Sequence, residues 1–112
     1  MSKRFEVHEV ALEMAARLGP ALEALARRDR DLARQMRRAA ASVVLNIAEG
    51  AQRRGKDRLH FYRIAAGSAA ETGSALRLAR AWGYLDGPAM AAAEALLDRV
   101  QAMLWRLTHG PR

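Results

Sequence analysis

AAASVVLNIAEG, residues 39–50, sets the reading of everything around it. Ala39, Val43 and Ile47 recur at steps of four, the spacing that stacks side chains along one side of an α-helix. Beside them stand three polar residues, Ser42, Asn46 and Glu49, at i, i+4 and i+7. They form a second stripe next to the apolar one. A polar seam bordering a buried face is expected to meet polar groups on a neighbouring helix. The residues that follow, QRRGKDR (52–58), are among the most basic in the chain.

The same apolar phase runs back through Leu32 and Met36 and predicts a helix over about 30–51. Arg30, Arg34, Arg37 and Arg38 fall on its outer side. In the polar break RRDRD before it, Asp29 or Asp31 is a fitting N-cap. Upstream, Val7, Ala11, Met14, Leu18, Leu22 and Leu25 mark a helix over about 6–26. Gly19-Pro20 interrupts it, but the phase continues, which reads as a kink.

Downstream, Gly50 and Gly55 bracket a short basic link into a helix over about 56–82, with Gly83 placed as its stop. Its centre, IAAGSAAETGSA (64–75), is rich in small side chains. Gly67 and Gly73 each cost a helix about 1 kcal/mol against alanine, which implies a closely approaching neighbour. Asp86-Gly87-Pro88 starts a last helix over about 88–108, striped by Met90, Ala93, Leu97, Val100, Leu104 and Leu107. No strand pattern, repeat or low-complexity segment appears. The expectation is one all-α domain over 1–112, an up-down-up-down four-helix bundle.

Composition limits the functions on offer. There are no cysteines, so disulfides, zinc thiolates and thiol nucleophiles are excluded, and an intracellular, cytoplasmic setting is the simplest expectation. The start, MSKRFEVHEV, lacks the apolar core of a signal peptide, and no apolar run approaches the roughly 20 residues that cross a bilayer. The abundant alanine suits helices but buries little area, so the core is thin and self-association is favoured. Of the net charge of +7, all resides in residues 27–63, with 11 basic against 4 acidic side chains; the rest balances eight against eight. Such a segment is an electrostatic footprint for a polyanion. A solvated arginine surface gives the same count, and composition alone leaves both readings open.

Catalytic and cofactor chemistry finds little purchase. His8, His60 and His109 lack metal-ligand spacing, so no metal is expected, and no glycine-rich turn follows a strand, so no cofactor is either. Glu49 and Glu71 could approach across two helices, but one buried acid with polar neighbours explains them better than a catalytic pair. Arg54 and His60, five residues between them, resemble the arginine–histidine motif of small all-helical HEPN ribonucleases. In that family the histidine helps move protons and the arginine stabilises phosphate charge. Here Gly55 follows Arg54 where that family has a polar residue. Phe61 and Tyr62, inside RLHFYR, either stack on bases or belong to the core.

A longer pattern is more specific. Gln35, Arg37, Arg38, Ala39, Ser42, Asn46, Ile47, Ala48, Glu49 and Gly50 are followed by Ile64, Ala65, Gly67, Ser68 and Glu71, then by Gly83, Tyr84 and Leu85. Nearly the whole chain, and 35–85 most strongly, resembles a bacterial four-helix-bundle family. That family includes proteins encoded in intervening sequences of large-subunit rRNA genes and accessory variability proteins of diversity-generating retroelements. Arg54-Gly55 departs from the serine common before the third helix, and Ala66 from a commonly basic position.

The resemblance implies a ring-shaped homo-oligomer, typically a pentamer, and binding of RNA or DNA through basic surface. In the retroelement branch it implies a reverse-transcriptase partner. It implies no catalytic activity. On this reading Ser42, Asn46, Glu49, Ser68 and Glu71 form a buried polar network that recruits an arginine, Arg38 or one from a neighbour. Arg34, Arg37, Arg38, Arg53, Arg54, Lys56 and Arg58 form one band facing the nucleic acid. A ribonuclease using Arg54 and His60, or a purely structural oligomer, is the alternative.

Overall fold

One residue, Asp29, turns the chain between its first two helices. The computed structural model describes residues 2–110 apart from the side chain of Lys3. It runs α1 Lys3–Arg28, α2 Arg30–Ala51, α3 Gly55–Ala81 and α4 Gly87–His109. The Asp29 N–H donates to the Leu25 carbonyl (2.7 Å), closing α1, and its carboxylate accepts from the Leu32 N–H (3.0 Å), opening α2. Asp31, the other cap candidate, instead lies 3.7 Å from Arg34.

The remaining ends follow the same chemistry. α1 starts earlier than its apolar stripe because the Ser2 hydroxyl accepts from the Phe5 N–H (3.2 Å). It then runs unbroken through Gly19 and Pro20. Gly83, at φ +74°, closes α3 in a Schellman motif: Tyr84 N–H donates to the Ala79 carbonyl (2.8 Å) and Gly83 N–H to that of Arg80 (3.0 Å). Asp86 caps α4 through the Ala89 N–H (3.2 Å), with Pro88 in the first turn.

α1 packs against α2 and α4, and α3 packs against the same two, so four antiparallel rods enclose one core. The long axis of 44 Å matches α3, whose 27 residues rise about 40 Å. The expected stripes of α1 and α2 are buried, as is that of α4 except for half-buried Leu107. α3 contributes mostly small residues, Ala65, Ala69, Ala75 and Ala79, together with Leu76 and one large ring, Tyr62.

That ring explains a residue the sequence misplaces. Gly50 does not bracket the link; it is buried in the last turn of α2, and the link is residues 52–54. A Cβ at Gly50 would stand 2.8 Å from Cδ1 and Cε1 of Tyr62. The missing side chain is the seat for the tyrosine. Phe61 parts company with Tyr62: it is half-buried, with the Arg53 guanidinium 5.1 Å above its ring.

Gly67 corrects a second expectation. It is exposed, and a Cβ there meets nothing within 4 Å. No close neighbour inside the protomer requires it, and at Gly73 a Cβ would make ordinary contact with Leu97 (3.4 Å). Gly67→Ala is therefore expected to stabilise the bundle by about 1 kcal/mol, the helix-propensity difference. Thermal unfolding checks this; a lowered melting temperature would instead place a second subunit's backbone against Gly67.

Candidate nucleic-acid interface

The seam between α2 and α3 forms from three of its five expected members. Ser42 Oγ and Ser68 Oγ lie 2.7 Å apart across the two helices. Asn46 Nδ2 donates to the Ser42 carbonyl (2.9 Å) and to Ser42 Oγ (3.0 Å). The buried Thr72 hydroxyl donates to the Ser68 carbonyl (2.8 Å), which ties α3's own backbone into the arrangement.

Glu49 and Glu71 stand outside this network. Glu49 Oε2 accepts from Arg53 Nε at 2.9 Å, and both side chains are close to half exposed (43% and 46%). Pairing four residues along its own helix avoids the desolvation that a buried carboxylate would face. Glu71 is exposed at the mouth of a groove that Arg38 also lines. Arg38 thus has no buried acid to neutralise. Asn46→Ala is expected to cost about 1 kcal/mol, one partly buried hydrogen-bonding group. Glu49→Ala is expected to cost only about 0.3–0.5 kcal/mol, the worth of a surface helix pair. Thermal melts of both variants check the order; the reverse order would put Glu49 back into the network.

The cations form two clusters and not one band. Arg34, Arg37 and Arg38 are exposed on the first half of α2, while Arg53, Arg54 and Lys56 are exposed at the link into α3. The 13 residue steps from Arg38 to Ala51, the end of α2, rise about 20 Å. Between them the same outer side carries Ala41 and Leu45, and Leu45 is 66% exposed. Arg58 is half-buried, its Nε directed at the Gly50 carbonyl at a long 3.4 Å.

Pairing divides these cations further. Arg34 faces Asp31 and Arg53 faces Glu49. Among the described residues Arg37, Arg38, Arg54, Lys56 and Arg58 have no acidic partner within 4 Å. Outside the basic segment, Arg80 is held 2.7 Å from Glu94 and Arg17 lies 3.9 Å from Glu13.

One contributor escapes a linear reading. Burial raises the pKa of the Tyr62 phenol, while Arg58 and Arg4 pull it back down. Arg4 thus acts at the link end of the bundle, because the topology sets the start of α1 beside the end of α2. Only the antiparallel arrangement of the helices locates it there.

The histidines sit apart. His60 is exposed, edge-on to the Phe61 ring (5.2 Å), and among the described residues no hydrogen bond joins it to Arg54, the N-cap of α3. His109 stacks on Trp105 (4.6 Å) and its Nδ1 is 2.9 Å from the Thr108 hydroxyl. His8 Nδ1 is 3.8 Å from Glu9. Among the described residues no helix is long and apolar enough to cross a membrane.

No curated protein matches the chain. In fold it is similar to the crystal structure of a protein of unknown function from the S23 ribosomal protein family of Bacteroides thetaiotaomicron. The two are 21% identical with a TM-score of 0.82, over 92% of this chain and 98% of that one. The family model of the 23S rRNA-intervening sequence proteins matches residues 3–106, all of α1 to α3 and most of α4, and the chain belongs to that family.

Proposed function

We propose that this protein is a non-enzymatic, oligomeric nucleic-acid-binding protein that holds RNA or DNA by its phosphates. The observation that carries this reading is the set of exposed cations without acidic partners, at the link (Arg54, Lys56) and on the first half of α2 (Arg37, Arg38). Guanidinium and ammonium groups left free on a surface serve as phosphate contacts that fix position but not sequence.

Self-association is supported by the thin core, to which α3 gives mainly alanine; Leu45, Trp82 and Trp105, each more than half exposed at separate places on the protomer, are candidate contacts. The resemblance implies five copies. Repeating two basic clusters around such a ring adds avidity wherever one strand reaches several subunits. Light scattering is expected to show an oligomer; a 12.3 kDa species alone, across micromolar concentrations, would remove that part of the proposal. A reverse-transcriptase gene beside this one, with a template repeat, would make the protein a retroelement accessory factor.

Incubation with labelled RNA separates this function from its alternatives. The expected result is a mobility shift with the RNA intact. Cleavage lost in His60→Ala would replace it with the ribonuclease reading, and neither shift nor cleavage would leave a structural oligomer.

A further inference from the structure

On the outer side of the α2–α3 seam lies a groove of about 490 Å³, walled by Gln35, Arg38, Ala39, Ser42, Ser68 and Glu71. Past Gln35 and Glu71 it continues into a recess of about 160 Å³ with Leu32, Ala75 and Leu78 along it. The floor is set, because Ser42 Oγ is bonded both to Ser68 Oγ and to Asn46 Nδ2. The walls are not. Among the described residues the side chains of Gln35, Arg38 and Glu71 make no hydrogen bond or ion pair with the protein.

These three groups are chemically complementary. Arg38 only donates, ionised Glu71 only accepts, and Gln35 does both. A ligand held between them presents acceptors toward α2 and donors toward α3. It also carries an apolar body for the recess. Arg34 stands one turn before Arg38 on the same side of α2; it is exposed, and its contact with the exposed Asp31 is a long 3.7 Å.

A nucleotide has this combination, and the choice among bases is narrow. Guanine offers N7 and O6 as acceptors to a guanidinium. Its N1–H and N2–H₂ are adjacent donors on the other edge, matched to the two oxygens of a carboxylate. No other standard base presents that pair. Those donors are occupied in a duplex and free in a single strand, where unstacked bases are read on both edges.

We propose that this groove is a base pocket for one unstacked guanine of a single strand whose adjoining phosphate lies on Arg34. It rests on the nucleic-acid-binding function above and adds a base preference to phosphate contacts that carry none.

The test uses three labelled single strands, compared by fluorescence anisotropy: oligothymidine, the same strand with one central guanosine, and the same with inosine, which lacks the N2 amino group. The guanosine strand is expected to bind about tenfold more tightly than oligothymidine, at the low end of what one bidentate base contact supplies. Inosine loses most of that gain. Glu71→Gln abolishes the preference while binding oligothymidine no more weakly than the parent; Glu71 is exposed, so the fold tolerates the change. Equal binding of all three strands overturns the pocket and leaves phosphate binding standing. Retained guanosine preference in Glu71→Gln overturns the assignment of Glu71. No binding of any strand overturns the underlying function as well. A Glu71→Gln variant that falls apart in light scattering, from a parent without guanosine preference, makes the groove a subunit contact.

Discussion

Changing Arg53, Arg54 and Lys56 together to glutamate is expected to abolish the proposed binding of RNA and DNA while leaving the fold and the state of assembly unchanged. All three side chains are exposed, and Arg54 and Lys56 have no acidic partner within reach. Reversal removes three phosphate contacts and sets acids in their place, beside Glu49. The expected loss of affinity at low salt is on the order of a hundredfold or more, since counterion release supplies most of the binding free energy. Arg53→Glu also replaces an ion pair with Glu49 by a repulsion. Like charges one turn apart cost a few tenths of a kcal/mol, too little to unfold the bundle.

Arg77 and Arg80, changed the same way, cost far less. Arg80 is already neutralised by Glu94, and Arg77 lines a groove with Glu94 and Asp98. Fluorescence anisotropy of both variants, with light scattering and circular dichroism as controls, checks the contrast. Binding at parental strength by the triple variant would reduce the link cluster to a solvated surface.

Tyr62→Ala lowers stability by about 3–5 kcal/mol, the usual cost of emptying a large aromatic site. For a small domain stable by roughly 5–15 kcal/mol, that is a large fraction of the whole. Tyr62 is the largest fully buried side chain and the one aromatic ring that α3 buries in the core. Tyr62→Phe behaves oppositely. The phenol oxygen is buried without a hydrogen-bond partner among the described residues, so removing it costs nothing or stabilises.

The pH dependence follows from the raised phenol pKa. The folded state holds this proton more tightly than the unfolded chain, whose tyrosines titrate near 10. The contribution is therefore complete below about pH 10 and is lost as pH rises through the higher folded value. Tyr62→Phe lacks this alkaline loss. Chemical denaturation of parent, Tyr62→Ala and Tyr62→Phe at neutral and alkaline pH checks all three statements.

Why the bundle is legible in the sequence is clear from its stripes: Val7 to Leu25, Leu32 to Ile47 and Met90 to Leu104 each hold one helical phase and are buried. What escapes depends on residues distant in sequence. Gly50 reads as a link residue until Tyr62, on another helix, is laid against it. Asp29 and Asp31 are equivalent caps on paper, and the packing of α1 on α2 decides between them.

The seam fails at Glu49 for a reason that helix geometry contains. Counting 100° per residue, Asn46, Ser42 and Glu49 lie about 60°, 100° and 120° around α2 from Val43. Glu49 is thus turned furthest toward water, where Arg53 meets it. The single basic band fails for a related reason. Charges close in a sequence count are drawn apart once the helix between them is extended to its full length. Arg4, far from the basic segment in sequence, is brought to it by topology.

The affinity of the unmodified protein for a labelled single strand, followed across a salt series, tests the phosphate-holding role of these clusters most directly. The logarithm of the binding constant falls linearly with that of salt concentration, by about 0.7 per phosphate contact on a single strand. Arg37, Arg38, Arg54 and Lys56, the exposed cations of the two clusters that have no acidic partner, are then expected to give a slope of about −3. An affinity that does not change with salt contradicts it.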